Sequence, residues 1–109
     1  MVLPARGSVV LVPFPFSDLS RSKLRPAIVL ASVGRGDWIL CQVTSKAYGD
    51  EDAIEIRQED FETGGLRLDS YARPGKLFTA HDSLLRAEAG RLRAPAFERV
   101  RAGVPSVLA

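Results

Sequence analysis

Residues 7–32, with the sequence GSVVLVPFPFSDLSRSKLRPAIVLAS, decide the fold. Within this stretch, residues 9–12 and 27–31 are apolar runs rich in β-branched side chains, and clusters of Gly, Pro and Ser bound them. Such runs are typical of strands. A polar, cationic segment, residues 17–25, separates the two runs. The stretch therefore predicts two buried strands that carry a charged loop.

Arg25 ends this loop and is the strongest functional candidate in the stretch. Because Pro26 follows it, the helical region is disfavoured for Arg25, and its backbone is expected to be extended at the mouth of the second strand. An arginine fixed there is well placed to meet an anion. Arg21 and Lys23 precede it at a spacing of two residues. The loop is therefore either a solvated hairpin tip or a flap over an anionic substrate.

The rest of the chain predicts further short strands. Residues 38–44 place Ile39, Cys41 and Val43 on one face and end in a polar segment, Thr44-Ser45-Lys46. Further strands are predicted at residues 53–57, 66–72, 76–79 and 90–92. Several short strands at close spacing, with few helices, predict a mainly β fold, namely a small and partly closed β-barrel.

Prolines and glycines set the expected ends of these strands. Pro13 and Pro15 are expected to end the first strand, because proline cannot donate a hydrogen bond to a sheet ladder. The pair Pro74-Gly75 is expected to separate the strands at residues 66–72 and 76–79. Residues 58–65 contain no periodic signal, so no strand is predicted there.

The C-terminal segment predicts a helix. It is expected to run from Pro95, which suits a first helical position, to about residue 102. Its apolar residues recur at intervals of three and four: Phe97, Val100 and Val104. Gly103 and Pro105 predict that the helix kinks or stops near that point.

Length and composition are typical of a small globular domain. With 109 residues, 46% of them hydrophobic and 26% charged, the chain is long enough for one core, and we expect one domain over residues 1–109. No apolar run approaches the roughly 20 residues of a membrane span, and residues 1–6 have the wrong flanks for a signal peptide. A cytoplasmic protein is therefore predicted.

The basic residues are unusual in kind, because 12 of the 15 are arginine. The planar guanidinium fork suits phosphate, which is compatible with a nucleic-acid partner even at a net charge of only +2. Acidic residues gather in residues 50–62 and leave other surfaces more basic.

Side chains for metal or nucleophilic sites are scarce. One Cys, one His and scattered carboxylates show no recognised ligand spacing, so neither a metal nor another cofactor is predicted. Cys41 lies in an apolar strand and is expected to be a small buried residue. His81, Asp82 and Ser83 are adjacent, but neighbouring side chains diverge, so His81 is expected at the surface or as a cap.

Four segments, in this order and spacing, resemble a known family. They are GSVVLVPFPFSDL at residues 7–19 with RPAIVL at 25–30, CQVTSK at 41–46, LDSYA at 68–72, and KLFT at 76–79. Together they resemble the MazF/PemK toxins, the endoribonuclease toxins of type II toxin–antitoxin pairs. The resemblance covers nearly the whole chain. It implies an SH3-like barrel with a C-terminal helix, similar to CcdB and PemK, and a homodimer.

The resemblance also implies which residues act on RNA. Arg25 and Thr44 match the catalytic Arg and Thr of the family: Arg25 would stabilise the pentavalent phosphorane, and Thr44 would hydrogen-bond a phosphate oxygen. RNA can be cleaved without metal if its own 2′-hydroxyl attacks the neighbouring phosphorus, provided the protein aligns the attack and stabilises the charge. Because arginine is a poor general base, the base stays unassigned. Arg73 is a weaker candidate. The predicted RNA-binding residues are Ser45, Arg21, Lys23, Phe16, Asp69 and Lys76.

The predicted function is thus a metal-independent endoribonuclease, an mRNA interferase that cleaves single-stranded RNA and leaves a cyclic phosphate and a 5′-hydroxyl. Its expected partner is a small acidic antitoxin. Two alternatives stay open from the sequence. One is a gyrase-directed poison like CcdB, in which the C-terminal helix would carry the function, and the other is a non-catalytic barrel that binds a protein or RNA.

Overall fold

The computed structural model describes residues 3–15, 22–47 and 49–109. In these ranges the chain forms seven β-strands, two single turns of 3₁₀ helix and one α-helix. The strands are β1 (Ser8–Pro15), β2 (Ser22–Gly34), β3 (Asp37–Thr44), β4 (Ile54–Ile56), β5 (Phe61–Gly64), β6 (Ser70–His81) and β7 (Ala87–Leu92). The 3₁₀ turns are Gln58–Asp60 and Asp82–Leu84, and the helix α1 is Ala94–Leu108.

The strands of the described ranges form one antiparallel sheet in the order β4-β6-β3-β2-β1-β7-β5. The sheet curls into a half-barrel, and α1 follows it at the C-terminal end of the chain. β2 lies at its centre, in agreement with the continuous apolar run that predicts a buried strand. The predicted mainly β, partly closed barrel with a C-terminal helix is therefore confirmed.

Alternate residues of the strands pack on opposite faces of the sheet. On the face that α1 covers, called the helix face, buried residues include Val9, Ile28, Cys41, Val43, Ala96 and Val100. On the other face, called the far face, the buried residues are Val10, Val12, Ala27, Val29, Leu40, Ala80 and Leu85, with Trp38 and Phe78 at the edge. The predicted alternation of β3 is confirmed, because Cys41 and Val43 lie on one face and Leu40 on the other.

The prolines of β1 do not end it. β1 pairs with β2 through Pro13 and Pro15, which contradicts the predicted strand end. The carbonyl of Leu11 accepts a hydrogen bond from the Arg86 amide (2.9 Å), so the backbone at this position faces β7. Pro13 and Pro15 lie two and four residues further along β1, so their nitrogens face the same side as the Leu11 backbone. The pairing with β7, however, stops at Leu11. The missing proline N–H groups therefore cost no ladder bond.

The predicted break at Pro74-Gly75 is also wrong, because β6 continues through it. Val43 pairs with Ala72, whereas Cys41 pairs with Leu77, so residues 73–76 form a bulge opposite a single position of β3. A proline within a bulge removes no ladder hydrogen bond. Residues 66–69, predicted as strand, precede β6 and are irregular, whereas β5 lies in the stretch without a periodic signal.

The charged loop is shorter than predicted at its C-terminal end. The sequence predicts a loop over residues 17–25, whereas β2 begins at Ser22, and Lys23 and Leu24 pair with Phe14 and Pro13. The longer β1 supplies these pairing positions. Residues 16–21 lie outside the described residues, and with them the predicted RNA-binding residues Phe16 and Arg21.

The helix α1 is longer than predicted and runs through Gly103 and Pro105 to Leu108. Pro105 lies in the last turn, so the hydrogen bond that it removes is close to the end of the helix. Gly103 allows α1 to approach the sheet closely, because a Cβ atom there would lie 2.8 Å from Ile54 Cδ1 and 3.0 Å from Pro74 Cγ. The predicted stop is therefore wrong, and the glycine serves packing.

Candidate active site

Arg25 lies within β2 and not at the mouth of the strand, where the sequence predicts it. Its backbone is extended, as expected before Pro26, and it pairs with Val12 of β1. Directly paired residues share a face of the sheet, so the half-buried Arg25 side chain belongs to the far face. The same face holds the buried Val12 and Ala27. Arg25 therefore carries its guanidinium group on a part of the sheet whose neighbouring side chains are apolar and buried.

Thr44 is the last residue of β3 and pairs with Tyr71 of β6. By strand alternation it shares the far face with Leu40 and Gln42. The pairing of β2 with β3 joins Ala27 to Gln42. One further two-residue step in this register sets Arg25 level with Thr44 on the neighbouring strand. The two predicted catalytic residues therefore occupy adjoining positions on one face of the sheet.

The Thr44 hydroxyl is held by the segment that follows it. Its Oγ1 accepts a hydrogen bond from the Lys46 amide (3.1 Å) and donates one to the Lys46 carbonyl (3.2 Å). Thr44 is half-exposed. Because of the two hydrogen bonds, the orientation of its hydroxyl depends on the backbone of Lys46. A ligand that accepts a hydrogen bond from Thr44 must replace the Lys46 carbonyl.

An ion pair joins the segment that follows Thr44 to β6. The Arg73 Nε donates to the Asp50 Oδ2 at 2.7 Å and joins the segment after β3 to the bulge of β6. This hydrogen bond is the main reason that the pKa of the Asp50 carboxyl lies below its ordinary value of 3.8. Arg73 is a weak candidate from the sequence, and the sequence does not single out Asp50. A carboxylate beside a run of acidic residues carries no signal that would select an arginine 23 positions away.

Two clefts adjoin this ion pair. The first, of about 460 Å³, is lined by Ser45, Lys46, Ala47, Asp50, Ala53 and Tyr71. The second, of about 400 Å³, is lined by Gly49, Asp50, Glu51, Asp52, Arg73, Gly75 and Lys76. Hydroxyl and ammonium groups thus continue from Thr44 along the edge of the sheet. The second cleft also has a strongly acidic rim.

A third cleft, of about 340 Å³, opens beside Pro26 and Ser45 and is mostly apolar. Leu66 and the exposed Leu68 supply much of its surface, with Arg67 at the same wall. Because successive residues of a strand face opposite sides of the sheet, Pro26 places this cleft on the helix face, opposite Arg25, and Leu66 packs against the core of that face.

The structure brings some predicted RNA-binding residues together and leaves others apart. Ser45 is exposed beside Thr44 and borders two of the clefts. Lys76 is exposed at the second cleft, and Lys23 is exposed on β2 two residues before Arg25. Asp69 is exposed and lies towards Arg57, whose pKa is raised mainly by its hydrogen bond with Glu55 and further by Asp69. Asp69 therefore faces a different set of charges.

The remaining reactive side chains, Cys41 and His81, have structural roles. Burial raises the pKa of the fully buried Cys41 thiol to about 11. His81 caps the 3₁₀ turn that follows it, because its ring accepts a hydrogen bond from the Ser83 amide (3.2 Å). The expectations for Cys41 and His81 are confirmed. Among the described residues, no group of three or more His, Cys, Asp and Glu side chains could hold a metal ion.

Within residues 3–15, 22–47 and 49–109, no helix is both long and apolar enough to cross a membrane.

Comparison with known proteins places the chain in a family. The family described as "PemK-like, MazF-like toxin of type II toxin-antitoxin system" matches residues 5–108. A MazE–MazF crystal structure from Deinococcus radiodurans (Form-III) has a TM-score of 0.76 at 20% identity, covering 98% of this chain and 97% of that chain. An endoribonuclease from a mycobacterial species, in complex with its cognate antitoxin, has a TM-score of 0.73 at 13% identity, covering 99% and 95%.

At these identities the solved structures show a shared fold, and no curated protein sequence matches the chain. The family match, in contrast, spans almost the whole sequence. The resemblance carried by the four segments of the chain is thereby confirmed. This protein belongs to the MazF/PemK family of type II toxin–antitoxin toxins.

Proposed function

We propose that the chain is a metal-independent endoribonuclease that cleaves single-stranded RNA by attack of the RNA's own 2′-hydroxyl. The observation that carries the proposal is the adjoining placement of Arg25 and Thr44 on the far face of the sheet. A guanidinium and a hydroxyl at neighbouring strand positions can both reach the oxygens of one phosphate. Family membership supports the same reaction class.

The proposed reaction needs no water and no external nucleophile. The 2′-oxygen forms a bond to the neighbouring phosphorus while the bond from phosphorus to the 5′-oxygen breaks. The 2′-hydroxyl loses its proton, and the leaving 5′-oxygen gains one. The products are a cyclic phosphate and a 5′-hydroxyl, so atoms and charge balance.

In this reaction Arg25 stabilises the charge that develops on the phosphate oxygens of the pentavalent phosphorane. A guanidinium supplies two parallel N–H donors, which suits a pair of phosphate oxygens. Thr44 donates its hydroxyl hydrogen to a further phosphate oxygen in place of the Lys46 carbonyl. Asp50 is a poor general base, because Arg73 holds its pKa below the ordinary value.

We propose that the RNA follows the edge of the sheet on both sides of this pair. Lys23, Ser45 and Lys76 would contact the phosphates and sugars. RNA binding by Arg21 and Phe16, which lie outside the described residues, stays a prediction from the sequence. Unpaired bases are needed, because a base in a duplex cannot be splayed onto a protein surface.

The partner we propose is an acidic antitoxin that occludes the Arg25 site, and the assembly we propose is a homodimer in the cytoplasm. Two observations support the antitoxin. The similar solved structures include complexes of a MazF toxin with MazE and of an endoribonuclease with its cognate antitoxin. The chain is also basic, with a net charge of +2, which favours an acidic partner.

The test is incubation of purified protein with a mixed-sequence single-stranded RNA in EDTA. We expect discrete fragments with cyclic phosphate ends from the wild type, and none above background from Arg25→Ala or Thr44→Val. The matched control is Arg35→Asn, which removes an exposed guanidinium in the turn between β2 and β3, where the positive φ of 55° is tolerated by asparagine.

Full cleavage by Arg25→Ala would contradict the proposal, as would complete dependence of wild-type cleavage on added metal. A folded wild type that cuts no long RNA would support a binding function instead. In that case DNA gyrase inhibition would separate a poison like CcdB from a barrel that only binds.

A further inference from the structure

The Asp50–Arg73 ion pair differs from the other ion pairs of the described residues in its burial. Its side chains are 14% and 28% exposed, whereas each of the other pairs has a member that is at least 42% exposed. Exposed pairs contribute little to stability, and their geometry is loosely held. The Asp50–Arg73 contact, at 2.7 Å and between residues 23 positions apart, instead fixes one part of the chain against another.

Asp50 organises the segment that follows β3. Its Oδ1 accepts a hydrogen bond from the Asp52 amide (3.0 Å), and its own amide donates to the Ala47 carbonyl (3.1 Å). Its carbonyl accepts from the Ala53 amide (3.3 Å). With Oδ2 bonded to Arg73, this one residue sets both the internal turns of the segment and its position against β6. Tyr48, in the same segment, lies outside the described residues.

Arg73 is a firm anchor because of its neighbour in the bulge. Pro74 is almost fully buried and packs closely against α1 at Gly103. The backbone of β6 at this point therefore lies between the sheet and the helix. A side chain that projects from such a backbone can hold a surface segment in place.

The other end of the held segment is the Lys46 backbone, which orients the Thr44 hydroxyl through two hydrogen bonds. Only three residues separate Lys46 from Asp50. We propose that Asp50 and Arg73 form a positioning pair: they hold the segment after β3 so that the Lys46 amide keeps the Thr44 oxygen in place, and the hydroxyl can turn its hydrogen from the Lys46 carbonyl to the RNA phosphate. The inference rests on the proposed function, because it assigns these residues a part in the same site.

A positioning role of the pair and a direct role of Arg73 in RNA binding predict different effects when Asp50 is neutralised. If Arg73 itself bound the phosphate, Asp50 would compete for its guanidinium, and neutralising Asp50 would tighten RNA binding. If the pair positions Thr44, neutralising Asp50 weakens the chemical step and leaves binding nearly unchanged. Asp50→Asn separates the two cases, since asparagine keeps an oxygen for the Asp52 amide and removes the charge that pairs with Arg73.

The experiment measures kcat and KM on a single-stranded RNA for the wild type, Asp50→Asn, Arg73→Gln and the matched control Asp52→Asn. The control makes the same change at an exposed acidic residue of the same cleft. For a displaced catalytic hydroxyl we expect kcat to fall between about 10- and 100-fold in both pair variants, with KM within about two-fold. The control should stay within about two-fold of the wild type in both constants.

Lower KM or faster cleavage in Asp50→Asn would overturn the inference and make Arg73 a direct ligand of the RNA. Equal behaviour of Asp50→Asn and Asp52→Asn would overturn it as well. Assays run well below the melting temperature of each variant separate positioning from unfolding. A merely structural contact would lower the melting temperature and leave kcat of the folded protein unchanged.

A second readout keeps the inference separate from the proposed function. Backbone hydrogen exchange needs no RNA cleavage, and it follows the amides of Lys46 and Ala53 directly. We expect both amides to exchange faster in Asp50→Asn, with the β2 amides unchanged. If the wild type cuts no RNA, the proposed function fails, and the exchange result alone decides whether the pair holds the segment. Unchanged exchange in Asp50→Asn refutes the pair's holding role in either case.

Discussion

The helix face and the far face of the sheet are built from alternate residues of the same strands, yet they differ along their length. The helix face stays apolar to the end of β3, where Val43 is buried beneath α1. The far face is apolar at Leu40 and becomes polar at Gln42 and Thr44. Neighbouring residues of one strand therefore serve different purposes, and substitutions one position apart should affect either folding or cleavage.

The largest expected effect is on the far face, at Arg25. For Arg25→Ala we expect a loss of cleavage of about 10²–10³-fold or more, because a preorganised donor to the developing charge is removed. Urea unfolding should show a much smaller change, since the side chain is only half-buried. The comparison of the faces breaks if this variant unfolds as readily as a core variant.

A large effect on stability is expected on the helix face of β2, three positions after Arg25. Ile28 is fully buried on the helix face, and Ile28→Ala should lower the free energy of unfolding by about 2–5 kcal/mol. Urea unfolding measures this loss and gives the folded fraction, and RNA cleavage at low temperature gives the rate. We expect kcat per folded molecule within about two-fold of the wild type, and a large loss there would show that the two faces are coupled.

A smaller loss is expected where α1 meets the sheet. Gly103→Val places side-chain atoms against Ile54 and Pro74, and such overpacking costs about 1–3 kcal/mol. Thermal unfolding should show the loss for Gly103→Val, beside the exposed Ala102→Val as the control for β-branching within the helix. Equal melting temperatures for the two variants would show that the helix shifts away at no cost.

The smallest expected effect is a pH dependence from Asp50. Its folded pKa lies below the ordinary value of 3.8 because of Arg73, so its contribution to stability is fully present above that value. The contribution is lost as the pH falls through the lower folded pKa. Melting temperatures between pH 6 and pH 2 should therefore fall more steeply for the wild type than for Asp50→Asn. Parallel curves would contradict the assignment.

The strand pattern of the chain was largely predictable, because hydrophobic alternation depends on neighbouring residues alone. β3 is the clearest case, since its two faces follow directly from residues 38–44. The errors at Pro13, Pro74 and Pro105 have a common cause. Whether a proline breaks an element depends on which partner its missing N–H group would have faced, and that partner is set by the register or by the end of the element.

The site, like the fold, has a part that the sequence could predict and a part that it could not. Arg25 and Thr44 can be singled out from the sequence segments that resemble the family, but their adjoining positions require the register of β2 with β3. The Asp50–Arg73 pair requires in addition the bulge of β6, which shifts the register by three residues. Neither residue type nor spacing along the chain contains this information. Lys76 is predictable as an exposed cation, but its place at the second cleft is a property of the folded chain.

The burial of Cys41 has a practical consequence. It is the single cysteine of the sequence, fully buried, and with a thiol whose pKa is about 11 it carries almost no thiolate at neutral pH. For maleimide chemistry the native chain is therefore equivalent to a cysteine-free protein. A cysteine introduced at an exposed position such as Lys76 could be labelled selectively without first replacing Cys41. Fluorescence energy transfer to end-labelled RNA would then give the direction in which the strand crosses the sheet.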